Sequence, residues 1–131
     1  MLTGSEKMQQ TLNDSGINAD DPTARLQQTI DIKREKNIQL NFAINDYITL
    51  KLTYTQKSNE LLLTTDFKEV TGESRPTVAM KDAWIENHLF DEKMEMEIAK
   101  ENVKSITREI DILNDEIKLY EYKCQMKLGG I

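Results

Sequence analysis

The sequence has 131 residues, enough for one domain, and its composition favours helix: 31% of the residues are charged and 38% apolar, with 5 Gly and 2 Pro. The net charge of −6 excludes a general electrostatic attraction to nucleic acid or to an anionic membrane surface. A single cysteine excludes an intramolecular disulfide and a cysteine-based zinc cluster. No apolar run approaches the ~18 residues that cross a bilayer, and the N-terminal residues lack the pattern of a secretory signal. We therefore expect a cytoplasmic protein that does not enter a membrane.

Residues 1–20 and the segment after them differ in pattern. In the first twenty residues Leu2, Met8, Leu12 and Ile17 are scattered among polar residues, too few to offset the entropy of ordering, so we expect a mobile N-terminal arm. The run Asp20-Asp21-Pro22 is typical of a helix start, because an aspartate caps free N–H groups and a proline at the first helical position loses no hydrogen bond. Apolar residues then recur at helical spacing, with no Gly or Pro before Gly72. This pattern predicts a helix from about residue 22 to 64.

Residues 47–63 also permit a second interpretation. In 47–55 apolar and polar residues alternate at period two and β-branched residues are frequent, which is typical of a strand. A turn and a return strand could follow. The helix is favoured, and a short β-hairpin stays open as the alternative.

A loop is predicted for residues 64–77, because Gly72 can adopt a positive φ and Pro76 cannot lie inside a helix. A second, longer helix is predicted from about residue 77 to 128. Twelve positions between Ile85 and Cys124 are spaced alternately by four and three residues, and eleven of them can be buried.

This heptad pattern, which we call the inner seam, predicts the fold class. The expected structure is all-α: a long antiparallel helical hairpin of coiled-coil type over residues 21–128, associated into an oligomeric bundle. A helix of that length with a bare apolar stripe is not stable alone in water, so each helix needs the other, a second copy, or both.

Seven residues are candidates for contacts with a partner or a second copy. Large apolar side chains outside the inner seam need a further surface to cover them, and those on the seam hold the helices together. The candidates are Trp84, Phe90 and Met94 outside the seam, and Ile106, Ile110, Leu113 and Ile117 on it.

No residue pattern typical of catalysis, of a cofactor site or of a metal site occurs in the sequence. His88 is the only histidine, and Cys124 falls on the inner seam, where a thiol behaves as a small apolar group. The acidic residues of 86–101 are interpreted as a solvated face, with contact to a basic partner as the alternative. We therefore expect a protein that is not an enzyme and has no cofactor.

The segment 61–93, followed by the heptad helix, resembles small helical-hairpin proteins encoded by bacteriophages and mobile elements of Gram-positive bacteria. The resemblance is carried by Thr65-Asp66-Phe67-Lys68 after a leucine run, and by Lys81-Asp82-Ala83-Trp84-Ile85 at the start of the second helix. In layout the chain is also similar to phage recombination mediators. The resemblance implies an oligomeric, non-enzymatic protein that acts in the cytoplasm of a bacterial host cell.

Three functions are consistent with these features. The favoured one is a non-enzymatic interaction protein that binds itself and another protein. The alternatives are an accessory protein of recombination or replication that acts on single-stranded DNA or a recombinase, and an acidic inhibitor of a host defence nuclease. We expect weak or no binding to duplex DNA. Binding to single-stranded DNA stays open, because bases could stack on Phe42, Tyr47 or Trp84.

Overall fold

The fold is all-α. The computed structural model describes residues 21–129, and the N-terminal arm predicted for residues 1–20 lies outside them. The described chain contains no strand, and residues 47–63 are helical throughout, so the β-hairpin alternative is wrong. The helices are α1 (Pro22–Thr64), α2 (Phe67–Thr71), α3 (Val78–His88) and α4 (Phe90–Gly129).

The described chain divides into two compact units, and both long helices contribute to each. Of the described residues, unit 1 contains 21–41 and 104–129, and unit 2 contains 42–103. Because the pairing of α1 with α4 is antiparallel, each unit combines segments that lie far apart in the sequence.

Unit 1 pairs the start of α1 with the end of α4. The carboxylate of Asp21 accepts a hydrogen bond from the backbone N–H of Thr23 at 3.0 Å, which caps α1, and lies 3.4 Å from Lys127 Nζ. Further along, Lys36 forms an ion pair with Glu109. These pairs accompany the antiparallel packing of the two segments, in which Ala24, Ile106 and Ile110 are buried.

Unit 2 contains the remainder of both long helices and the two shorter ones. Its core is a cluster of Phe67, Ile85 and Leu89. The partly buried side chains packed against this cluster are Tyr54, Leu61 and Trp84. The core thus joins α1, α2 and α3, and it places the aromatic residues of this unit together.

The predicted loop contains a helix that the sequence interpretation missed. Asp66 caps α2 by accepting a hydrogen bond from the N–H of Glu69, and Gly72 ends α2 with φ +72° and an N–H bonded to Lys68 O at 3.1 Å. Phe67 is buried in the core of unit 2. Five residues are too few for a helix to form by propensity alone, so the burial of Phe67 explains why α2 forms.

The second long helix was predicted as one element and is divided at Leu89. Leu89 has φ −104° and ψ 31°, outside the values of a regular helix. Hydrogen bonding nevertheless continues, since Leu89 N–H bonds to Ile85 O and Lys93 N–H to Leu89 O, both at 2.9 Å. The irregular backbone of Leu89 thus lies between two hydrogen-bonded turns, and its side chain is buried in the core.

Candidate functional site

Trp84 lies in an aromatic cluster of its own chain. Its ring meets the ring of Phe67 edge to face, with the centroids 5.7 Å apart, and stacks on the ring of His88 at 4.8 Å. The side chain is half-buried beside Ile85 and Leu89. Part of the Trp84 side chain is thus covered by residues of its own unit.

Phe90 and Met94 are exposed at the start of α4. Phe90 is 58% exposed and Met94 44%, and Ile98, one turn further, is 64% exposed. The spacing of four residues aligns the three along one side of the helix. We call this row the α4 ridge. Exposed apolar side chains in a contiguous row are typical of an interaction surface.

The other four predicted partner residues lie on the inner seam of α4 in unit 1. Ile106 and Ile110 are buried, and Leu113 and Ile117 are half-buried. These four side chains stabilise the packing of α4 against α1.

A second apolar stripe on α4 lies in unit 1, and the sequence analysis did not identify it because the inner seam dominates the pattern. Leu119 follows Ile110 by nine residues, about two and a half turns, and so lies on the opposite side of the helix. We call this stripe the outer seam. Its members are spaced by seven, three and four residues, and all are about half exposed or more: Ile112, Leu119, Tyr122 and Met126. The heptad spacing of Ile112, Leu119 and Met126 was the available signal.

An open groove of about 590 Å³ lies between α1 and α4 within unit 2. Its apolar lining comes from Ala43 and Leu50 of α1 and from Ile98 and Ala99 of α4, and its remaining lining is polar or acidic: Asp46, Thr49, Glu95 and Asn102. Heptad spacing alone did not reveal this groove, because it combines residues about fifty positions apart.

Charge is distributed unequally between the two units. Unit 2 carries twelve acidic and seven basic residues, a net charge of −5. The described residues of unit 1 carry eight acidic and nine basic residues, a net charge of +1. Among the described residues, the net negative charge is therefore on the unit that contains the groove.

Glu92 occupies the one inner-seam position that is not apolar. Its carboxylate lies 3.4 Å from Lys57 Nζ of α1. A hydrogen bond from its own backbone N–H lowers the pKa of Glu92, and the nearby Lys57 and His88 lower it further, against a smaller opposing effect of desolvation. The ionised form of Glu92 is thus favoured, and it joins α1 to α4 across unit 2.

The residues with potential catalytic or metal-binding chemistry are separated. His88 stacks on Trp84 in unit 2, whereas Cys124 lies in unit 1 with its Sγ 3.8 Å from Thr23 Oγ1. Within residues 21–129 no group of three or more His, Cys, Asp or Glu side chains is arranged to hold a metal ion.

Comparison with protein-family models, with curated proteins and with solved structures gives no match. In the described part of the chain, none of the helices combines the length and the apolar character needed to cross a membrane. The surfaces themselves are therefore the basis for a functional proposal.

Proposed function

We propose that the chain is a non-enzymatic interaction protein that self-associates through the outer seam of α4. The observation that supports this proposal is the heptad spacing of Ile112, Leu119 and Met126 on the side of α4 opposite Ile110. A helix with apolar residues on one side completes its packing with a single neighbour. A helix with heptad stripes on two sides is suited to a second neighbour.

The flanking charges disfavour one orientation of a dimer. In a parallel, in-register pair, Asp111 would approach Glu116 of the second copy and Lys118 would approach Lys123. Asp115, which interrupts the outer seam, would face Asp115 of the second copy. All of these contacts join like charges, and each is unfavourable.

The antiparallel orientation relieves this repulsion. When Leu119 lies opposite Tyr122 of a second, antiparallel copy, Glu116 of each copy lies beside Lys123 of the other. The proposal is therefore an antiparallel dimer with the contact centred near residue 120. Burying the exposed half of each large side chain contributes about 1 kcal/mol, so four from each copy contribute about 8 kcal/mol toward the cost of association.

Analytical ultracentrifugation tests self-association. The wild-type chain should sediment near twice its 15.2 kDa mass, and Leu119→Glu should sediment as a monomer with unchanged helix content. Leu63→Glu is the matched control, because Leu63 is a fully exposed leucine of unit 2 outside the outer seam. A wild-type monomer at about 100 μM would contradict the proposal.

The orientation is tested by distances between spin labels. Asp111→Cys in a Cys124→Ser background places one label on each copy. The antiparallel arrangement separates the two labels by about 25–30 Å along the helix axis, at 1.5 Å per residue. A parallel, in-register pair would instead hold them about 10 Å apart, the ordinary spacing of packed helices. The shorter distance would contradict the antiparallel proposal.

The origin of the chain in a phage or mobile element stays a hypothesis that rests on the resemblance of Thr65–Lys68 and Lys81–Ile85. The inhibitor alternative is favoured by one observation, the net charge of −5 on unit 2. A basic protein surface is the chemistry that such a charge attracts.

A further inference from the structure

We infer that the groove of unit 2 is a docking site for a partner helix that carries an apolar stripe flanked by lysine or arginine. This inference is independent of the outer seam, which lies in unit 1. The groove offers a small apolar floor, a length that matches two helical turns, and acidic edges. Each of these features restricts the occupant.

The floor of the groove favours a helix. Ala43 is buried and Ala99 half-buried at the base, and the absence of larger side chains there allows the backbone of a third helix to approach closely. Leu50 and Ile98 add larger apolar side chains to the lining. Docking of an amphipathic helix into an apolar groove is a common mode of peptide recognition.

The length of the groove limits the contact to about two turns. The lining residues span 43–50 on α1 and 95–102 on α4. Seven residue steps of helix extend about 11 Å, so a docked helix would insert apolar side chains at positions i, i+3 or i+4, and i+7.

The edges of the groove carry negative charge without compensation. Asp46 and Glu95 line it, no basic residue does, and within residues 21–129 neither carboxylate has a hydrogen bond or an ion pair. Asp91 is exposed one turn before Glu95 and adds to the same side of α4. A partner helix with flanking carboxylates would meet repulsion at both edges.

The basic residues close to the groove in sequence either contact other side chains or lie on another side of their helix. Lys93 Nζ donates a hydrogen bond to Glu86 Oε1, and Lys51 Nζ lies 6.0 Å from the centroid of the Tyr47 ring. Lys100 follows Glu95 by five residues, about 140° around the helix. The groove is therefore acidic at its edges even though bases are present in the same stretch of sequence, and a cationic partner helix is the complementary occupant.

Two synthetic peptides of 18 residues test the proposal with the full chain. Both carry the same leucine stripe at i, i+3 and i+7, and they differ in having lysines or glutamates beside it. Fluorescence anisotropy should show the lysine peptide binding about tenfold or more tightly than the glutamate peptide, because the edge charges attract one and repel the other. Equal affinity for both peptides, or no binding of either, would overturn the proposal.

Matched variants separate the groove from the general acidity of unit 2. Asp46→Asn with Glu95→Gln should weaken binding of the lysine peptide about threefold to tenfold, the effect of losing two exposed ion pairs. Glu60→Gln with Glu73→Gln removes the same charge from unit 2 outside the groove lining and should change affinity by less than about twofold. Equal losses in the two double variants would overturn the proposal.

A further variant tests the occupant. Ile98→Gln removes an exposed apolar contact from the groove, and it should abolish peptide binding while circular dichroism and the sedimenting mass stay those of the wild type. A shift of Ile98→Gln to the monomer mass would instead show that a second copy occupies the groove, and would overturn the proposal. Leu119→Glu should leave the peptide affinity unchanged, so the groove and the outer seam can be judged separately.

Discussion

The ring of Phe67, on the short helix α2, meets the ring of Trp84, on α3, edge to face with the centroids 5.7 Å apart. Lys81 Nζ lies 5.6 Å from the centroid of the Phe67 ring, so a cation covers another part of the same side chain. Through Phe67, the segment between α1 and α3 packs into the core of unit 2.

Replacement of Phe67 by alanine should lower the free energy of unfolding by about 3–4 kcal/mol, because a buried aromatic side chain and its ring contacts are lost together. Urea denaturation followed by circular dichroism measures the change. Leu63→Ala is the control, because Leu63 is 88% exposed and should cost less than about 0.5 kcal/mol. Similar losses for the two variants would contradict the packing described for Phe67.

Ile110 and Ile112 are two residues apart and lie on different sides of α4, 9% and 58% exposed. Ile110→Ala should cost about 2–4 kcal/mol of unfolding free energy, since it leaves a cavity in the inner seam. Ile112→Ala should cost less than about 1 kcal/mol in the monomer and should instead raise the dimer dissociation constant. Urea denaturation and sedimentation, measured on the same two proteins, separate the effects. An equal loss of unfolding free energy in Ile110→Ala and Ile112→Ala would contradict the assignment of the two residues to different seams.

The stability of unit 2 should depend on the ionisation of Glu92. Its pKa in the folded chain is lower than the ordinary value of 4.5, chiefly because its own backbone N–H bonds to the carboxylate and then because of Lys57. A lowered folded pKa contributes stability above the unfolded pKa, and this contribution is lost as the pH falls through the folded pKa. Urea midpoints measured from about pH 7 to pH 3 should therefore decline less steeply in Glu92→Gln than in the wild type.

Lys57→Met provides the control for this pH dependence. Removing the ammonium group should raise the pKa of Glu92 toward its ordinary value, so the pH profile of Lys57→Met should lie between those of the wild type and Glu92→Gln. An identical pH profile for wild type, Glu92→Gln and Lys57→Met would show that the pair contributes nothing to stability.

Gly72 is the described residue whose backbone conformation requires glycine, with φ +72° at the end of α2. A Cβ at this position would meet no atom within 4 Å, so the cost of substitution comes from the backbone alone. Gly72→Ala should destabilise the chain by about 1 kcal/mol, and Gly72→Asn by less, because asparagine tolerates the left-handed region. Thermal unfolding measures both, and a larger loss for Asn than for Ala would contradict this explanation.

Much of the fold was predictable because it depends on local patterns. The heptad spacing from Ile85 to Cys124 and the cap at Asp21 and Pro22 indicate long helices by themselves, and the all-α class follows. The loop predicted around Gly72 and Pro76 did not include α2, because a helix of five residues forms only when a side chain such as Phe67 is buried by distant elements.

The sequence by itself determined that this protein is helical, acidic and rich in apolar positions, because composition and periodicity act over neighbouring turns. Tertiary structure decided which apolar stripe of α4 packs against α1 and which stays exposed, since both stripes have heptad spacing. It also excluded the alternative of a strand over residues 47–63, where Lys57 pairs with Glu92 and Tyr54 and Leu61 pack against the core. The groove and its acidic edges arise only when Asp46 and Glu95, forty-nine positions apart, line the same surface.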